Sequence, residues 1–149
     1  MSSTEELIRQ AREARLKAYV PYSQFRVGAA LEARDGTIYH GCNIENASYG
    51  LTNCAERTAF FRAIADGRRP GDFAALAIVG ETNGPIAPCG ACRQVMLELG
   101  GADLQVILAN MGDAVAVTTP ERLLPGAFSS ADLSVMDAVK IPGKDDKAA

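Results

Sequence analysis

No stretch of the 149-residue sequence is apolar for long enough to cross a bilayer. The start, Met1-Ser2-Ser3-Thr4-Glu5-Glu6, lacks both the apolar core of a secretory signal and the character of a transit peptide. Long basic runs are missing too. Arg68-Arg69 comes nearest, and between Gly67 and Pro70 it reads as a solvated loop. With 18 acidic against 15 basic residues and a net charge of −3, electrostatic capture of a nucleic-acid polymer is disfavoured. There is one histidine, His40, and neither an internal repeat nor a linker. These absences predict a cytoplasmic protein. They also predict a single domain over residues 1–141, large enough to bury a core, with a mobile polar tail over 142–149.

What the chain does have is cysteine. Four thiols in a reducing compartment point to metal or chemistry rather than to disulfides. Three of them fall in two short pieces, Cys54-Ala55-Glu56-Arg57 and Pro88-Cys89-Gly90-Ala91-Cys92-Arg93-Gln94. The rest of the chain is read around those two pieces.

A helix is predicted from Ser3 to about Tyr19, with Ser3 and Glu6 as a capping box and Leu7, Ala11, Ala14 and Ala18 on one face. Val20-Pro21 ends it. A strand follows in which Phe25, Val27, Ala29 and Leu31 alternate with Arg26, Gly28, Ala30 and Glu32. Asp35-Gly36 is a hairpin turn into a second strand ending near Ile44. Helices are predicted from Asn53 or Cys54 to Ala65, closed by Asp66-Gly67, and from Cys89 to Leu99, closed by Gly100-Gly101. Between them Ala74 to Val79 reads as a buried strand. Leu104 to Ala109 and Ala114 to Thr118 are two more strands, and Pro120 to Leu124 begins a short helix. Ser129 to Val139 is either helical or irregular. The order implies an α/β fold, with one mixed sheet of about five strands covered by helices on both faces.

Cys89 and Cys92 are three apart at a helix start, so they share a face. Cys54 begins another helix, and helix N-termini favour thiolates, the form that binds zinc. A redox dithiol would leave Cys54 without a role. A closed structural site would need Cys42, which has no second Cys-x-x-Cys around it and alternates with Ile38, His40 and Ile44 as a packing residue. The remaining reading is one zinc ion on Cys54, Cys89 and Cys92 with an open fourth position. Glu56 has two readings. It is either the closing residue of a capping box on Asn53 or the base an open zinc needs for its water; beside three thiols the second is the stronger.

At these residues the sequence resembles the small zinc-dependent cytidine deaminases. Their pattern is a Cys- or His-x-Glu followed by Pro-Cys-x-x-Cys, with the glutamate as acid/base rather than ligand. The resemblance runs from about Tyr19 to Phe128. It also covers Phe25-Arg26-Val27-Gly28-Ala29-Ala30-Leu31, Gly41-Cys42-Asn43-Ile44-Glu45-Asn46-Ala47-Ser48-Tyr49 and Leu123-Leu124-Pro125-Gly126-Ala127-Phe128. Leu99 stands where an aromatic is common, and nothing matches beyond Phe128.

The resemblance implies a three-layer α/β/α sandwich and a homotetramer with shared active sites. The implied reaction is zinc-dependent hydrolysis of cytidine and deoxycytidine to the uridines and ammonia, with Glu56 carrying protons to N3 and to the departing amino group. Arg57 would donate to thiolate sulfur. Asn43 and Glu45 would bind the ribose, Phe25 would pack on the pyrimidine, and the backbone of Ala55 and Pro88 would contact the base. Ala47, Tyr49 and Phe128 match positions near a neighbouring subunit. The competing expectations are a deaminase of a cytosine-containing antibiotic such as blasticidin S and a non-catalytic zinc-stabilised binding module.

Overall fold

A computed structural model describes residues 1–133. The tail expected over 142–149, the domain boundary at 141 and most of the segment after Ser129 lie outside the described residues. Ser130–Leu133 forms a short helix.

Helix α1 spans Thr4–Arg15. Ser3 caps it by accepting a hydrogen bond from the Glu6 N–H at 3.1 Å. The reciprocal half of the expected capping box is not formed, because Glu6 is turned to Arg9 and Gln10. The helix stops four residues before Tyr19. Leu16, Lys17 and Ala18 close it with bonds to Glu13, Ala14 and Arg15, and Tyr19 then pairs with another segment. The Tyr19 N–H reaches the Asn43 carbonyl at 3.0 Å, and the Glu45 N–H reaches the Tyr19 carbonyl at 2.8 Å. Tertiary pairing thus overrides a continuing helical pattern.

Five strands follow: β1 (Val27–Ala33), β2 (Ile38–Cys42), β3 (Phe73–Gly80), β4 (Gln105–Asn110) and β5 (Val115–Thr118). They form one mixed sheet in the order β2-β1-β3-β4-β5. Only β3 and β4 pair in parallel. β1 does not show the half-exposed alternation expected of it. All seven of its residues are buried, because it lies inside the sheet with helices on both faces. Phe25 lies outside the strand.

The period-2 alternation separates two cores instead of core and solvent. Leu7, Ile8 and Ala11 of α1 pack on Ala30, Ala75, Ala77, Val79 and Ile107. Opposite them, Ala29, Leu31, Leu76, Ile78 and Val106 pack under α2 (Ala55–Ala65) and α3 (Gly90–Gly100), through Phe60 and Met96. The result is the expected α/β/α sandwich.

The topology places the site. β1 is antiparallel to both β2 and β3, so β2 and β3 run the same way and leave the sheet at one edge. Each is followed by a helix on the same face, which brings the N-termini of α2 and α3 together. Ligand sites on such sheets lie outside the carboxyl ends of strands. Gly41 on β2 lets α2 come close, since a Cβ there would stand 2.2 Å from the Ala55 carbonyl and 2.5 Å from the Ala59 nitrogen. Gly41→Ala is therefore expected to push the N-terminus of α2 off the sheet, at a cost of about 1–3 kcal/mol. It should also weaken zinc retention, read by metal analysis beside a melting curve. A variant as stable and as zinc-loaded as the wild type would remove Gly41 from this role.

Candidate active site

Cys54 is the N-cap of α2 and Cys89 the N-cap of α3, and neither uses its side chain to cap. Their sulfurs lie 3.7 Å apart. Cys92, one turn into α3, is buried, and all three sulfurs fall within 4.8 Å of one another. A tetrahedral zinc with bonds of ~2.3 Å to sulfur would set pairs of thiolates about 3.8 Å apart. A disulfide would need about 2 Å. The donor set and spacing therefore fit zinc. Cys42 is half-buried and is not in the cluster.

The charges around the cluster agree. One Arg57 NH group donates to the Cys54 sulfur at 3.3 Å, while the buried Nε of Arg57 has no partner. The Cys54 thiol is drawn down to about 5, first by its hydrogen bond with Cys92 and then by Arg57. Cys92 moves the opposite way, raised by the same bond and by burial. A bound cation would displace the thiol protons of the cluster. Arg57 is in turn held more firmly in its charged form by the Cys54 sulfur.

Glu56 is the second residue of α2 and is 4% exposed. The helix cap is Cys54, not Asn53, whose side chain donates to Thr58 instead. The capping-box reading of Glu56 is thereby corrected, because the helix starts one residue later than that reading required. Burial pushes the carboxyl above its usual range, and the neighbouring Cys54 thiolate pushes it the same way.

Asn43 and Glu45 both turn toward residues 22–27. Asn43 clips the entry to β1, accepting from the Val27 N–H at 2.9 Å and donating to the Phe25 carbonyl at 2.7 Å. Oε1 of Glu45 accepts from the N–H groups of Tyr22 and Ser23 at 2.9 and 3.1 Å; the Ser23 hydroxyl first, and then these two N–H groups, hold its carboxyl below the usual range. Glu45 lines a pocket of about 390 Å³ with Tyr22, Ser23, Tyr49 and Thr52. Phe25 is 41% exposed, and its ring tip lies 3.5 Å from where a Cβ on Gly80 would stand. Ala55 is buried at the start of α2, and its N–H, as the first in the helix, has no intrahelical acceptor.

Three positions were not anticipated. Arg93 holds the Pro88 carbonyl through Nε at 2.8 Å and the Leu123 carbonyl at 2.9 Å, so it fixes the segment before Cys89. Ser23 accepts the Phe25 N–H at 3.0 Å. Gln24 takes the left-handed conformation at φ 57° between them. The Ser-x-Phe spacing is an available turn signal for Ser23. Nothing in the sequence marks Gln24, since glycine or asparagine is the usual occupant of that conformation.

Tyr49 is 74% exposed, with its ring edge-on to Tyr22. Phe128 is 60% exposed, and its carbonyl accepts from Gln94 at 2.8 Å. Ala47 is exposed as well. All three are exposed in the single chain, and so is Cys89.

Two thiol-bearing helix ends around a buried glutamate define a zinc-dependent hydrolytic site. Residues 1–108 match the family model described as the cytidine and deoxycytidylate deaminase zinc-binding region. The chain belongs to the cytidine deaminase family. It is 59% identical over 130 residues to the cytidine deaminase of Sporosarcina psychrophila, covering 87% of this chain and 94% of that one. It is 56% identical over 128 residues to that of Halalkalibacterium halodurans, covering 86% and 96%. The crystal structure of cytidine deaminase from Burkholderia pseudomallei superposes with a TM-score of 0.85 at 64% identity, over 85% of this chain and all of that one. Among the described residues no helix is long and apolar enough to cross a membrane.

Proposed function

We propose that the chain catalyses the hydrolytic deamination of cytidine and deoxycytidine to uridine and deoxyuridine, as a step of pyrimidine salvage in the cytoplasm. The observation that carries this is the buried Glu56 beside the three clustered thiols, in a chain with the sequence of a cytidine deaminase.

Cys54, Cys89 and Cys92 hold the zinc. Bound there, the ion supplies Lewis acidity that makes water a nucleophile near neutral pH. Arg57 offsets part of the negative charge of three thiolates by donating to Cys54. Glu56 moves the protons. Its raised pKa suits a carboxyl that must both take and give a proton near neutrality. It takes one from the attacking water and passes it to N3 of the pyrimidine, which makes C4 electrophilic. After the hydroxyl adds to C4, Glu56 takes its remaining proton and delivers it to the amino group; the C4–N bond breaks as the C4 carbonyl forms, and ammonia leaves.

Phe25 packs on the pyrimidine. The Ala55 N–H and the free lone pair of the Pro88 carbonyl contact its polar edge. Asn43 and Glu45 bind the sugar. Each retains capacity to do so, since Asn43 has a second amide hydrogen and both backbone N–H bonds to Glu45 fall on Oε1. Glu45→Ala is expected to lower kcat/KM for cytidine about 10- to 150-fold, the worth of a hydrogen bond to a charged group. Asn43→Ala should lose a comparable factor and also melt earlier, because it unclips Val27 and Phe25. Values near wild type would remove the pair from sugar binding. The same pair disfavours an antibiotic substrate, so turnover of cytidine should far exceed turnover of blasticidin S.

The working form is a homotetramer, and a neighbour completes each pocket. This rests on the solvent-exposed Cys89 and on the exposed aromatic and apolar side chains of Tyr49, Leu51 and Phe128. Ala47, Tyr49 and Phe128 are the residues that reach the adjoining site. Light scattering at assay concentration should give four chains per particle. A fully active monomer would refute the shared pocket.

A further inference from the structure

Gln24 is the only non-glycine residue with a positive φ among the described residues, at 57°. It precedes Phe25 in the turn that leads into β1. That conformation crowds the Cβ of any L-residue, and glycine, asparagine or aspartate usually occupies it. A residue held there persists where its surroundings over-determine it, and such positions cluster at functional sites.

The surroundings here are hydrogen bonds on both sides of Gln24. Its own N–H reaches the Val20 carbonyl at 3.0 Å. Before it, the Tyr22 and Ser23 N–H groups are held on Oε1 of Glu45. After it, the Phe25 N–H donates to the Ser23 hydroxyl, and the Phe25 carbonyl accepts from the Asn43 amide. The same Asn43 side chain accepts from the Val27 N–H. Two of the three side chains that clamp the turn, Glu45 and Asn43, are thus the ones assigned above to the sugar. The side chain of Gln24 itself is exposed.

What the turn delivers is the Phe25 ring. Its tip lies 3.5 Å from where a Cβ on Gly80 would stand. Gly80 is the last residue of β3 and shares a strand face with Leu76 and Ile78, the face that α2 and α3 cover. The ring therefore lies on the side of the sheet that carries the thiols, at the carboxyl end of β3.

We propose, on the deaminase reading of the pocket, that Gln24 is a positioning residue: its left-handed backbone, clamped by Glu45, Ser23 and Asn43, aims the Phe25 ring at the pyrimidine. The contribution comes from the backbone conformation at 24 and not from a contact of its side chain. A ring that packs on the base does so in the substrate and in the transition state alike. Its misplacement therefore raises KM and leaves kcat nearly unchanged. Loss of folded or zinc-loaded protein does the reverse, lowering the apparent kcat at constant KM.

The test compares Gln24→Gly with Gln24→Val in the full, zinc-loaded chain, with cytidine as substrate. Glycine adopts a positive φ freely, whereas a β-branched residue there is an outlier. Both changes replace an exposed side chain, so the core is left alone. Gln24→Gly should keep kcat/KM within about twofold of wild type, and Gln24→Val should lose about 10- to 100-fold through KM, the scale of a small misplacement of a binding group. Zinc content should match the wild type in both. Ser23→Ala, which frees the Phe25 N–H, should also raise KM, and it decides if Gln24→Val does not fold. A wild-type KM in a folded Gln24→Val, or in Ser23→Ala where Gln24→Val does not fold, would overturn the proposal. So would a loss confined to kcat, or a Gln24→Gly as impaired as Gln24→Val. A wild type that releases no ammonia from cytidine would instead overturn the deaminase reading, and this inference with it.

Discussion

Glu56→Gln is expected to keep its fold and its zinc while kcat for cytidine falls by about 10²- to 10⁴-fold, the usual worth of a positioned acid/base. The amide matches the carboxyl in size and sits in the same buried place, so packing under α2 should barely change. It cannot exchange protons with water, N3 or the leaving amino group. The structure sharpens this expectation, since Cys54 and not Asn53 caps α2, so Glu56 does not close a capping box on Asn53. A melting curve and a metal assay beside the kinetics separate lost chemistry from lost structure. Substantial turnover by a pure, zinc-loaded variant would take Glu56 out of the reaction.

The second large effect concerns the thiols. Cys54→Ala, Cys89→Ala and Cys92→Ala should each lose or weaken zinc, whereas Cys42→Ala should retain one ion per chain. Each of the first three removes one of only three ligands from a cluster within 4.8 Å. Cys42 lies on β2 outside that cluster. Because a metal that binds only the folded chain stabilises it, the three ligand variants should also melt earlier, and added zinc should rescue them less than the wild type. Loss of zinc from Cys42→Ala alone would revive a closed four-thiol site.

Much of this was legible in the sequence because local chemistry and global fold agree. The Cys-x-x-Cys at a helix start, the Gly67 and Gly101 stops and the Asp35-Gly36 turn are read one element at a time. The structure leaves them where they were expected. The misses share a different cause, which is tertiary contact. Tyr19 leaves its helical pattern for Asn43 and Glu45. β1 buries both of its faces, so a reading that expected solvent on one side did not expect Glu32 to be buried. Phe25 stays out of the strand because Ser23 and a left-handed Gln24 turn the chain before it. Arg93 shows its role only once Pro88 and Leu123 are seen beside it. Side chains that act on distant backbone leave no local trace.

The most direct measurement of the central claim is ammonia and uridine production by the purified, zinc-loaded chain given cytidine, repeated after the zinc is stripped. Deamination at Cys54, Cys89, Cys92 and Glu56 predicts equal amounts of the two products, formed by the loaded chain and almost none by the stripped one. A zinc-loaded, tetrameric preparation that releases no ammonia from cytidine or deoxycytidine would contradict it.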